Sequence, residues 1–274
     1  MDPNGPAIFT IGRMNPPTSG HLRLIREMMI IALDQGQNKI YIILSHTKDN
    51  KKNPLGCSRK KEILVAEGMI EYLKQANPLL SEIEVDIRCM NETVPKKCDK
   101  HVVVLKQVCK IQIDAGNPTH MILIVGADRA SSYDWIVKYL NEEKPPVILD
   151  IISLDRPEDA MSATSMRSLV LKGDKEEFIK ATMTSGLPVE NAVSLYAELE
   201  RELKPQGKRK TLVPHSDEPP RKLKKSEHSD KPPRKRTKGG KKKRTKRRKR
   251  TDKKRKTRTY KKQKRSLYFS KHQS

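Results

Sequence analysis

The sequence predicts an α/β fold: a Rossmann-like parallel sheet of about five strands with helices on both faces, C-terminal helices, then a disordered basic tail. Three observations carry this. Short apolar runs alternate with longer amphipathic ones along residues 7–152, the rhythm of repeated strand–helix–strand units. The runs IYIIL, MILIV and VILDII are largely apolar, as strands covered on both faces should be. The charge also divides: residues 205–274 hold 31 Lys/Arg and 5 Asp/Glu, which leaves 27 and 28 for residues 1–204. The predicted organisation is therefore a near-neutral body, 1–204, long enough to bury a core, and a tail, 205–274. The tail is too charged and too poor in apolar residues to offset the entropy of ordering.

Taken in order, AIFTI (7–11) is the first expected strand and residues 20–35 the first helix. IYIIL (40–44) is the second strand, followed by a long polar loop and a helical stretch over 57–76. EVDIR (84–88) precedes a helix over 99–115, and MILIV (121–125) precedes one over 129–141. VILDII (147–152) is the fifth strand. Helices over 162–172, 174–184 and 188–203 close the body, with Asp174 and Pro188 as starts of the last two.

Cys57, Cys89, Cys98 and Cys109 form no CxxC pair. The opening MDPNGP is acidic and proline-rich rather than basic and then apolar, unlike a secretory leader. No apolar run has the length of a membrane span. An intracellular, reducing setting is expected, with the cysteines as small buried hydrophobes. Cys98, His101 and Cys109 fit no common zinc spacing.

Ligands of such sheets sit beyond the carboxyl ends of the strands. The loop after the first strand, GRMNPPTSGH (12–21), is stiff and short of side chains. Gly12 permits close approach of a ligand, and Pro16 and Pro17 restrict the backbone. Thr18 or Ser19 is expected to cap the following helix. Gly20 and His21 fall in its first turn, where N–H groups favour an anion. The loops SHTKDNKKNPLGCSRK and SLDRPEDAMSATSMR are long for such connections, a mark of functional loops.

GRMNPPTSGH resembles the first signature of the nucleotidylyltransferases with a [TH]-x-G-H motif, which include the pantetheine-phosphate and nicotinamide mononucleotide adenylyltransferases. Thr18, Gly20 and His21 match it. MSATSMR resembles their second signature, a Ser/Thr-rich turn ending in Arg, through Ser162, Thr164, Ser165 and Arg167; Ala163 stands where a serine is commoner. LIVGAD is similar to the end of the family's fourth strand. The resemblance spans about residues 6–190. In SHTKDNKKNPLGCSRKKEIL, VGADR and MRSLVLKGDKEEFIKATMTSGLP the chain looks like nucleotidyltransferase-like proteins of bacteriophages and large DNA viruses.

The resemblance implies transfer of a nucleoside monophosphate from ATP, or CTP, to a phosphorylated acceptor, with release of pyrophosphate. His21, Thr18 and Arg167 would then be the catalytic residues. Gly12, Arg13, Asn15, Gly20, Gly126, Asp128, Ser162, Thr164 and Ser165 would hold nucleotide or phosphate. Lys48, Lys51, Lys52, Arg59 and Trp135 are expected around the acceptor, although Trp135 is read first as a core residue. Mg²⁺ is expected to come bound mainly through the nucleotide phosphates, with no protein metal site of its own. The tail is expected to bind nucleic acid through counterion release and, in a eukaryotic host, to direct the chain to the nucleus. Tyr260, Tyr268 and Phe269 are candidates for stacking on bases. The alternative reading is a non-catalytic nucleic-acid-binding protein that uses the fold as a scaffold.

Overall fold

The computed structural model describes residues 5–49, 51–155 and 160–204. Five strands form one sheet: β1 (Ala7–Gly12), β2 (Lys39–Leu44), β3 (Glu84–Cys89), β4 (His120–Gly126) and β5 (Ile148–Leu154). Their spatial order is β3-β2-β1-β4-β5, and every neighbouring pair is parallel. The connecting and closing helices are α1 (Ser19–Asp34), α2 (Cys57–Leu64), α3 (Met69–Ala76), α4 (Val103–Asp114), α5 (Asp134–Asn141), α6 (Ala163–Lys172), α7 (Lys175–Met183) and α8 (Val189–Leu203). The chain winds outward from β1 to β3, then returns through α4 to lay β4 on the other side of β1. That reversal makes the β1/β4 junction the topological switch point, where ligands of open α/β sheets bind.

Alternation along the strands builds two cores. Ile8, Ile40, Ile42, Ile122 and Ile124 pack under α1, α2, α3, α6, α7 and α8. Phe9, Tyr41, Ile43, Met121 and Leu123 face α4 and α5. Each such fully buried side chain contributes roughly 1.5–3 kcal/mol. The expected parallel α/β sheet covered on both faces is therefore what forms.

Several details depart from the sequence reading. The helical stretch 57–76 divides into α2 and α3 because Gly68 adopts a left-handed conformation, φ 93°, just before α3. The helix expected from 99 starts at Val103, after a 3₁₀ turn at Lys96–Cys98. The one expected from 129 opens as a 3₁₀ turn, Ala130–Tyr133. β5 is an edge strand, so Ile148 is exposed despite the apolar run. Asp174 and Pro188 stand at the starts of α7 and α8, as expected.

The cysteines are a clear correction. Cys57 pairs with Cys89, and Cys98 with Cys109. The fold brings each pair's Cα atoms to 5.9 and 5.5 Å, within bridging distance. The expectation of free, reduced thiols is not met, and with it goes the cysteine argument for a reducing compartment. Among the described residues no helix is long and apolar enough to cross a membrane. The tail, with Tyr260, Tyr268 and Phe269, lies outside the described residues.

Candidate functional site

β1 and β4 pair only from Ala7 to Phe9. Beyond that they diverge, and the hydroxyl of Thr10 donates to the carbonyl of Ile124 at 2.6 Å across the opening gap. Where two strands part at the switch point, a cleft of about 500 Å³ opens, within the volume range of small-molecule sites. Its floor is Gly12 and Gly126, the last residues of β1 and β4. A Cβ on Gly126 would stand 2.9 Å from Oδ1 of Asp128, so glycine is what lets that carboxylate fold back over the strand end.

The two signature segments meet here. His21, from the first turn of α1, and Ser162, Thr164 and Arg167, from the start of α6, line the same cleft. Arg167 donates one guanidinium N–H to the carbonyl of Asn15 and another to the hydroxyl of Thr164 at 3.2 Å. Gly20 lies close to Met161, whose carbonyl would be 3.6 Å from an added Cβ. Segments about 150 residues apart in sequence are thus hydrogen-bonded to each other at the cleft.

The loop between β1 and α1 is held from several sides. Met14 adopts a left-handed φ of 42°, and the Asn15–Pro16 peptide is cis. Asn15 is buried, and its amide makes reciprocal bonds with Leu55. Nδ2 donates to the Leu55 carbonyl at 2.8 Å, and the Leu55 N–H donates to Oδ1 at 3.0 Å. The side chain clamps two loops together, its carbonyl holds Arg167, and the residue also lines the cleft.

Thr18 also differs from expectation. It occupies the N-cap position of α1, but its hydroxyl caps no backbone group. It lies 2.9 Å from Nδ1 of His21 and is itself buried, outside the cleft lining. At α6 the cap forms as usual: Ser162 Oγ accepts from the Ser165 N–H at 3.0 Å and lies 2.8 Å from the Ser165 hydroxyl.

The residues expected around an acceptor mostly lie elsewhere. Lys48 pairs with Glu202 at 3.2 Å. Arg59 is held by Glu67, Glu198 and Glu62, which ties α2 to α8 and raises its pKa further despite burial. Lys51 is exposed away from the lining, and Trp135 is exposed on α5, neither in the core nor in the cleft. Of that group Lys52 alone lines the cleft. Its loop is shaped by Asp49, whose carboxylate accepts the N–H groups of Lys51, Lys52 and Asn53, which holds its pKa well below the usual range.

The cleft carries Arg13, Arg23, Lys52, Arg129 and Arg167 against Asp128 and Asp155. Among the described residues only Arg129 of these five has an ion pair, a loose 3.6 Å contact with Asp128. Burial lowers the pKa of Arg167 and the charge of Arg13 lowers it further, only partly opposed by the Asp49 carboxylate. Neighbouring unpaired guanidinium groups repel each other until an anion joins them. No cluster of three or more His, Cys, Asp or Glu side chains is placed to hold a metal among the described residues.

Sequence reading missed Arg23, Arg129, Tyr133, Asp155 and Lys60. Arg23 follows Gly20 by three residues, one helical turn along the same face. Tyr133 lines the cleft and donates from its hydroxyl to the carbonyl of Ile11 at 3.2 Å. Lys60 sits at an apolar position of the α2 pattern with Cys57, Ile63 and Leu64. A charge on the buried stripe was the available signal. No protein-family model matches this chain, and no curated protein matches it either.

Proposed function

We propose that the protein is a nucleotidylyltransferase that uses this cleft to join a nucleoside monophosphate from ATP, with CTP as the other candidate donor, to a phosphorylated acceptor. What carries the reading is the meeting of the α1 and α6 starts in one cleft with more cations than carboxylates. A triphosphate is the ligand whose charge such a surface offsets.

In the reaction an acceptor phosphate oxygen attacks the α-phosphorus. A new P–O bond forms as the bond to the α–β bridging oxygen breaks, and pyrophosphate leaves with the electron pair. No protein nucleophile is needed, so catalysis rests on orientation and on cancelling charge. Thr18 Oγ1 lies 2.9 Å from Nδ1 of His21 and orients the ring; in the proposed reaction the hydroxyl is the donor, which leaves the ring proton on Nε2 to meet a phosphate oxygen near the scissile bond. Arg167 and the Ser162–Ser165 turn receive the β- and γ-phosphates. Arg13, Arg23 and Lys52 supply the remaining positive charge, and Lys52 takes over the acceptor role first expected of several lysines. Mg²⁺ would come with the nucleotide, bound mainly through its phosphates. The basic tail would hold the enzyme near nucleic acid.

A pyrophosphate-release assay with ATP and CTP against phosphorylated acceptors tests this. Turnover by the native chain, falling by about 10²–10³-fold in His21→Ala as for other charge-stabilising donors, is the expected result. Absence of release with every donor and acceptor, or full activity in His21→Ala, contradicts it.

A further inference from the structure

The last paired residues of β1 and β2 are Gly12 and Leu44. The next residues, Arg13 and Ser45, begin the loops that border the cleft, and both line it. Between them lies the ammonium group of Lys60. It donates to the carbonyl of Arg13 at 3.0 Å, to the carbonyl of Ser45 at 2.5 Å, and to the Ser45 hydroxyl at 3.3 Å. Lys60 is fully buried, and among the described residues no carboxylate pairs with it. It does not line the cleft itself.

Packing alone does not account for this side chain. Its neighbours on the buried stripe of α2 are Cys57, Ile63 and Leu64, and a methionine would fill the same space without desolvating a charge. Burial pushes the Lys60 pKa down to about 8, with no opposing partner to restore it. A buried cation that satisfies three oxygens but has no counter-ion is at once a clamp and a source of positive potential. Both act on the backbone that starts the β1–α1 loop.

We propose that Lys60 is a positioning residue of the anion site: it joins the ends of β1 and β2 through the Arg13 and Ser45 carbonyls and places an unpaired positive charge behind the segment that receives phosphate. This rests on the reading of the cleft as a polyphosphate site. Lys60 acts through Arg13 and the loop backbone and does not touch the ligand. Its contribution has two separable parts, a clamp that any good multiple donor supplies and a charge that only a cation supplies.

The probe is inorganic tripolyphosphate, titrated calorimetrically into the full-length chain and into Lys60→Met and Lys60→Arg. Each variant is first shown by circular dichroism to be folded at the titration temperature. Lys60→Met should bind roughly tenfold more weakly or worse, the loss expected for charge-assisted hydrogen bonds, and Lys60→Arg should recover most of the affinity. A purely structural lysine would lower the melting temperature in both variants without this split. Folded Lys60→Met that binds as tightly as the native chain overturns the proposal, as does Lys60→Arg no better than Lys60→Met. Should Lys60→Met not fold, Lys60→Gln replaces it under the same criteria. If neither neutral variant folds, Lys60 is a folding requirement and the proposal falls. A native chain that fails to bind tripolyphosphate removes both this inference and the reading beneath it, whereas binding unaffected by folded Lys60→Met removes this inference alone.

Discussion

Thr18 directs its hydroxyl at Nδ1 of His21, and Asn15 directs its amide at Leu55. Residue types that match a ligand motif here hold other parts of the motif in place. The sequence could identify the loop as special because prolines, glycines and a histidine crowd into ten positions. It could not tell which polar groups face the cleft, since that depends on Leu55, forty residues away. Lys60 permits a prediction at this scale. Its folded-state pKa lies below the ordinary lysine value of 10.5, at about 8. Between those values the unfolded chain binds more protons, so this group's contribution to stability rises with pH through that window. Below it, the group is fully protonated in both states and its contribution no longer changes with pH. Melting temperatures of native and Lys60→Met protein from pH 7 to 10 should therefore diverge in favour of the native chain as pH rises. A difference that stays flat across the series would rule out a depressed Lys60.

The elements themselves were legible to different degrees. Short apolar runs and helical patterns placed the strands and most helices because burial on both sheet faces dictates them. The break at Gly68 was not, because a lone glycine within a helical pattern is usually tolerated. The same holds for the two disulfides, whose partners are set by how α2 and β3, and α4 and its preceding turn, come together. Another tertiary constraint joins α3 to the α7–α8 turn. Gly186 has φ 78°, and a Cβ there would lie 2.2–2.5 Å from Cβ, Cγ and Cδ1 of Tyr72. Atoms that near the Tyr72 backbone cannot swing clear. Gly186→Ala should lower stability by about 2 kcal/mol, read as a reduced urea midpoint. The double variant Gly186→Ala, Tyr72→Ala should regain only the part of that loss due to the ring, since the Cβ at position 72 stays 2.5 Å away; Gly186→Ala with Tyr72→Gly should regain the whole steric part. An unchanged midpoint in Gly186→Ala would mean the turn relaxes freely.

At the scale of the molecule, a near-neutral body carries a tail with 31 basic and 5 acidic residues. If the tail serves attachment and the cleft serves chemistry, the two separate cleanly. Removing residues 205–274 should abolish salt-sensitive binding to DNA of arbitrary sequence while leaving pyrophosphate release unchanged. Loss of both together would tie the tail to the reaction. The site was partly visible beforehand because both signatures are local in sequence. Which lysines reach it was not, since Lys48 and Arg59 are claimed by carboxylates of α8, at the far end of the body. The most direct measurement is a structure of the full-length chain with an ATP analogue that carries a methylene in place of the α–β bridging oxygen. The account predicts its triphosphate between the imidazole of His21 and the guanidinium of Arg167, above Gly12 and Gly126. An analogue bound anywhere else on the body, or one whose phosphates contact neither side chain, would contradict it.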